Sequence, residues 1–97
     1  MKFIENLNVV SERLRAAGYL IRVVTVKPDH SWAFLSICRE KAQRGWIKTS
    51  SSTIFVHDDS IEIDSVFGVE VGEDDSESLR IAYDLGLDDE LEVVIVK

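Results

Sequence analysis

Residues 60–71 read SIEIDSVFGVEV and hold the clearest alternation of apolar and polar side chains in the chain. On one side Ser65 interrupts the apolar series, and on the other Val66 and Gly68 interrupt the polar series. Such alternation is typical of an antiparallel strand with one buried face and one wetted face. The buried side is predicted to comprise Ile61, Ile63, Phe67, Val69 and Val71.

The wetted side of this strand and the turn before it carry a set of carboxylates. They are Asp58, Asp59, Glu62, Asp64 and Glu70. Carboxylates fixed on a rigid sheet attract basic proteins and speed their association. We therefore expect a small acidic, non-enzymatic binding protein of the immunity, inhibitor or nucleic-acid-mimic type, which presents these carboxylates to a basic protein partner.

Charge is distributed unevenly along the chain. The net charge is −7, but residues 1–50 carry +5 and residues 51–97 carry −12. An acidic surface repels nucleic acids and anionic membranes, so neither is an expected partner. The basic and aromatic segment 39–48, which includes Trp46, leaves nucleic-acid contact as a lesser alternative.

Two elements are predicted before residue 28. Residues 3–17 form an amphipathic helix, because Ile4, Leu7, Val10, Leu14 and Ala17 recur at helical spacing, and Gly18 ends it. Residues 19–27 form a strand rich in Val and Ile. Apolar side chains on both of its faces predict a central strand.

The middle of the chain allows two interpretations. Residues 31–44 are predicted to form a helix, since they contain one β-branched residue and end in basic side chains before Gly45. Alternatively, Trp32 to Cys38 form a strand that pairs back on the preceding one through the Pro28-Asp29 turn. Residues 46–57 are expected to form one or two strands, divided by the hydroxyl run 49–52.

A second helix and a last strand are predicted near the C-terminus. The acidic stretch 73–77 suits a helix N-terminus, with the spacing of a capping box between Asp74 and Glu77. The helix covers residues 76–85, and Gly86 ends it. Its buried stripe is predicted to be Leu79, Ala82, Tyr83 and Leu85. Residues 91–96 form a strand whose exposed edge could pair with a second copy, which would give a homodimer.

The composition predicts one folded domain that covers residues 1–97. Leu, Ile, Val and Phe together make up 33 of the 97 residues, well above the level of disordered chains. The predicted class is α+β: a four- to five-stranded antiparallel or mixed sheet with two or three helices packed on one face. The chain has no apolar run of about 18 residues and no signal-peptide pattern at its start, so a cytoplasmic location is expected.

Signatures of catalysis, metals and cofactors are weak. Cys38 with His30 or His57 could supply a nucleophile and a base, which keeps an uncharacterised enzyme as one alternative. A small-molecule-binding domain with an apolar pocket between helices and sheet, lined by Trp32, Trp46 and Tyr83, is another. The chain has a single cysteine and no glycine-rich phosphate loop, so no metal and no cofactor are predicted.

Overall fold

The computed structural model describes residues 2–43, 46–64, 76–87 and 91–96, with side chains for all of these except 41–43, 46–50, 76 and 77. A short 3-10 turn occupies Pro28–His30. The described residues form two α-helices and five strands, in the order α1 (Lys2–Ala16), β1 (Leu20–Lys27), β2 (Trp32–Gln43), β3 (Trp46–Val56), β4 (Ser60–Asp64), α2 (Ser76–Leu85) and β5 (Glu92–Val96).

The five strands form one mixed sheet in the order β1-β2-β3-β4-β5. Neighbouring strands are antiparallel from β1 to β4, whereas β5 lies parallel to β4. Parallel neighbours need a crossover connection, and α2 lies in the connection between β4 and β5. The α+β class and the mixed sheet of five strands are therefore confirmed.

Strand β2 contradicts the predicted helix at residues 31–44. It pairs with β1 on one side and with β3 on the other, so its backbone groups are satisfied by two neighbours. Ser31 has a left-handed φ of 57° after the 3-10 turn, which helps to reverse the chain for antiparallel pairing. Tertiary pairing overrides the helix propensity of this segment, and the alternative hairpin interpretation is correct.

Strand β1 lies at an edge of the sheet, so the prediction of a central strand was wrong. Its apolar side chains on both faces reflect a register shift between Ile21 and Val23 and incomplete coverage, not two neighbouring strands. Strand β3 runs unbroken through the hydroxyl run 49–52. Beyond Cys38 and before Thr53, β2 and β3 pair only with each other among the described residues, which makes a two-stranded arm.

Aliphatic side chains from one face of the sheet and from both helices form a single core together with Phe3 and Tyr19. Leu7, Val10 and Leu14 of α1 are buried as predicted, whereas Ile4 is partly buried and Ala17 is exposed. Ile61 and Ile63 of β4 are fully buried, also as predicted. The sheet residues of this core are Ala33, Leu35, Ile37, Ile54, Val56, Ile61 and Ile63.

Helix α2 has the predicted bounds, but its buried stripe was partly wrong. Ile81 is fully buried and Leu85 nearly so, whereas Leu79 is 55% exposed and Tyr83 is 84% exposed. The helical repeat fits either stripe, since Leu79 and Tyr83 are also four residues apart. The tertiary position of α2, and not its own periodicity, selects the stripe that contains Ile81.

Polar contacts of Arg13 and Tyr19 help to attach α2 to the rest of the molecule. Arg13 of α1 donates from Nη1 to the carbonyl oxygens of Leu85 and Gly86 at 2.7 and 2.6 Å. A cation at these carbonyls satisfies free acceptors and complements the helix dipole. The hydroxyl of Tyr19 donates to Oδ2 of Asp84 at 2.8 Å.

Gly86 has φ +55° and Gly18 has φ +91°, so both glycines end helices as predicted.

Some predictions concern residues outside the described part of the chain. They are the inward positions Phe67, Val69 and Val71, the carboxylate Glu70, and Asp74 of the capping box, whose other member, Glu77, lies in α2 with its side chain outside the described part.

Candidate functional site

The sheet face opposite the core carries a different set of side chains, arranged in two rows that cross all five strands. We call it the outer face. The first row consists of Thr25, Phe34, Phe55, Glu62 and Val94. The second row consists of Val23, Ser36, Thr53, Asp64 and Val96. All ten side chains are half-buried or exposed, so the outer face meets solvent along both rows.

Aromatic rings form the centre of the outer face. The ring of Phe55 lies edge-on to Phe34 at 5.0 Å between centroids and to Trp32 at 5.7 Å. Aromatic rings in edge-to-face contact at these distances attract each other through their quadrupoles. The three rings are half-buried and contact each other through Phe55, and we call this apolar surface the platform.

The predicted carboxylates Glu62 and Asp64 lie beside this platform on β4. Glu62 is directly opposite Phe55, and Asp64 is directly opposite Thr53. Residues two apart in a strand point to the same face roughly 7 Å from each other. We call Glu62 and Asp64 the acidic edge. Glu92, which was not selected from the sequence, is exposed on β5 opposite Ser60 and extends this negative charge.

A histidine borders the acidic edge. Nε2 of His57 lies 3.5 Å from Oε1 of Glu62, which is too long for a strong hydrogen bond. This nitrogen is buried and has no hydrogen-bond partner among the described residues. His57 therefore places an imidazole ring next to Glu62 at the border of the outer face.

Asp58 differs from the other predicted carboxylates because its side chain makes a structural hydrogen bond. Its Oδ1 accepts the backbone N–H of Phe3 at 3.0 Å, which satisfies a free donor in the first turn of α1. The amide of the buried Asn6 donates to the carbonyl oxygens of His57 and Asp58 at 2.9 and 3.0 Å. These contacts hold α1 to the turn between β3 and β4.

The remaining predicted carboxylates occupy other positions. Asp59 is exposed in the same turn, and its carbonyl oxygen accepts the N–H of Glu92 at 3.3 Å. Glu70 lies outside the described residues. The structure therefore brings together Glu62 and Asp64 on the outer face, with Asp59 at its end and Asp58 in a structural position.

Cys38 and His57 lie too far apart to act as a catalytic pair. Cys38 pairs with Ser51, whereas His57 follows Val56, which pairs with Ala33. The two residues are thus about six positions apart along the strands, or roughly 20 Å at about 3.3 Å per residue. Cys38 is also buried. Among the described residues, no group of three or more His, Cys, Asp or Glu side chains could hold a metal ion.

The side chains predicted to line an apolar pocket do not meet. Trp32 belongs to the outer face, Tyr83 is almost fully exposed on α2, and the side chain of Trp46 lies outside the described part. An open groove of about 510 Å³ lies instead between α1 and β1. It is lined by Leu7, Asn8, Ser11, Glu12, Arg15 and Val24. Four of these six residues are polar or charged, which does not match the predicted apolar pocket.

Comparisons with family models, curated proteins and solved structures return no match to this chain. Among the described residues, no helix has the length and apolar character that crossing a membrane requires.

Proposed function

We propose that this chain is a non-enzymatic binding protein whose outer face docks a basic protein partner. One observation carries the proposal: Glu62 lies in the same row as Phe34 and Phe55, with Asp64 in the next row, on a face that is accessible to solvent. A cytoplasmic location, the small-molecule alternative and the enzymatic alternative stay predictions.

The platform supplies the apolar centre that a docking surface needs. Protein interfaces owe most of their affinity to a few large side chains at the centre, with aromatic residues enriched there. Phe55 contacts both Phe34 and Trp32, so the three rings already hold each other in place before binding. A preformed platform lowers the entropic cost of association.

The acidic edge supplies selectivity for a basic partner. Glu62 flanks the platform directly, Asp64 lies in the next row, and Glu92 continues the negative charge on β5. Charges at the rim of an interface mainly raise the association rate and reject partners of like charge. The expected partner therefore has an apolar projection bordered by lysine or arginine side chains.

The proposal includes the finer architecture predicted from the sequence, in which α1 and α2 both cover the core face. The shared core supports it, since Leu14 of α1 and Ile81 of α2 belong to the same cluster as Leu35 of the sheet. With the helices on that side, the outer face stays open to a partner.

The test is capture of partners from host lysate with paired charge-reversal variants. Glu62→Lys/Asp64→Lys removes the acidic edge, whereas Glu5→Lys/Asp29→Lys makes the same change in net charge at exposed positions outside the two rows of the outer face. We expect a protein that is retained after nuclease treatment, released by salt, captured by the control variant and lost with the acidic-edge variant. Equal capture by both variants would contradict the proposal. Material that disappears with nuclease would assign binding to the basic segment 39–48 instead.

A further inference from the structure

Strand β1 exposes more apolar surface than an edge strand normally does. Leu20, Val23, Val24 and Val26 are 57%, 48%, 50% and 39% exposed, and they lie on both faces of the strand. Edge strands of monomeric proteins are usually protected by charge, proline or short length, because an open edge invites pairing with another chain. This strand has eight residues and no proline, and its two charged residues, Arg22 and Lys27, lie outside the central segment 23–26.

The other edge of the sheet is less open. Strand β5 has five residues, and its exposed apolar side chains, Val94 and Val96, lie on the outer face alone. Val93 and Ile95 on the core side are partly buried. The two edge strands therefore differ: β1 exposes apolar side chains on both faces of the sheet, whereas β5 exposes them on the outer face.

We propose that two copies of this chain pair their β1 strands antiparallel and form one continuous ten-stranded sheet. This contact uses a surface separate from the platform and the acidic edge, so it goes beyond the proposed partner binding. A twofold axis perpendicular to the sheet would relate the two copies, as in most homodimers.

The sequence of β1 fits such self-pairing in a particular register. Val24 and Val26 lie on the core side, opposite Leu35 and Ala33 of β2, while Thr25 lies on the outer face opposite Phe34. Antiparallel partners share a face, so Thr25 placed opposite Thr25 of the second copy puts Val24 opposite Val26. Four valines then meet across the axis on the core side.

The charges around the edge are compatible with a second copy. Lys27 falls opposite Val23 of the other copy, and the two lysines stay roughly 13 Å apart along the strands at about 3.3 Å per residue, beyond the Debye length at ordinary salt. The groove between α1 and β1 carries one acid and one base, Glu12 and Arg15, beside Val24. The twofold axis at Thr25 brings the two α1 helices closer to each other, and each helix presents both signs of charge.

The first test is the oligomeric state of matched edge variants, measured by sedimentation over a range of concentrations. We expect the wild-type chain to dimerise and Val24→Glu to raise the dimer dissociation constant on the order of 100-fold, since it buries unpaired carboxylates. Val94→Glu makes the same change at the β5 edge and should leave the dimer intact. A monomeric wild-type chain, or dimer loss with Val94→Glu alone, overturns the proposal.

The second test detects the dimer contact directly and needs no substitution that weakens it. Directly opposed positions in an antiparallel pair have Cβ atoms about 4.5–5.5 Å apart, near the range that a disulfide spans. Thr25→Cys should therefore form a covalent dimer under mild oxidation, whereas Val94→Cys should not; the native Cys38 is buried in both. Cross-linking through Val94→Cys in place of Thr25→Cys overturns the proposed contact. Retention of lysate partners by Val24→Glu tests the outer face separately.

Discussion

The two faces of the sheet are built from different kinds of side chain. Along β2, the core side carries the aliphatic residues Ala33, Leu35 and Ile37, which are buried. The outer side of the same strand carries Trp32 and Phe34, which are half-buried. Branched aliphatic side chains fill a core efficiently, and aromatic rings at the surface are typical of binding sites. The difference indicates that one face serves stability and the other serves recognition.

The largest expected effect compares neighbouring residues on these two faces. Leu35→Ala should lower the free energy of unfolding by about 3 kcal/mol, because it leaves a cavity in a fully buried position. Phe34→Ala, one residue away, should lower it by less, about 2 kcal/mol, because the ring is only partly buried and its removal leaves no closed cavity. Urea denaturation of both variants measures the contrast. Equal losses would mean that the outer face is covered in the same way as the core.

A smaller effect is expected at the turn between β3 and β4. Asp58→Ala removes the acceptor of the Phe3 N–H and should cost about 1 kcal/mol of unfolding free energy, as the loss of a helix cap does. Asp59→Ala is the matched control, since the side chain of Asp59 is exposed and should change stability by less than about 0.5 kcal/mol. Denaturation midpoints measure both. A similar loss for the two variants would remove the structural role assigned to Asp58.

How far the sequence predicted the fold depends on the periodicity of each segment. Helix α1, the bounds of α2 and the alternation of Ile61 and Ile63 followed from local patterns. Strand β2 did not, because its residues favour a helix and only pairing with two neighbours makes it extended. The edge position of β1 did not either, since strand order depends on contacts distant in sequence.

The candidate site was predicted to a similar, partial extent. The positions of Glu62 and Asp64 on the outer face followed from the alternation, because the side-chain period of a strand is two. The aromatic platform was missed because the predicted helix at 31–44 would point Trp32 and Phe34 to different sides. In the strand that the segment actually forms, the two side chains lie on the same face. The role of Asp58 was not accessible from sequence, since it depends on where the first turn of α1 lies.

The smallest expected effect on stability concerns the acidic edge itself. Glu62→Gln/Asp64→Asn removes two charges from partly exposed positions and should change the unfolding free energy by less than about 0.5 kcal/mol. The same variant should bind a captured partner more weakly at low salt than the wild-type chain does. Heat denaturation and equilibrium binding provide the two measurements. A large loss of stability would show that these carboxylates belong to the structural set, together with Asp58.

The most direct test of the outer face is the association rate of a captured partner as a function of ionic strength. The proposed account predicts that Glu62→Lys/Asp64→Lys slows association about tenfold or more at low salt and flattens its salt dependence, because steering charges act mainly on the association rate. The control Glu5→Lys/Asp29→Lys should associate nearly as fast as the wild-type chain. Rates that are the same for the two variants at every ionic strength would contradict the assignment of binding to the outer face.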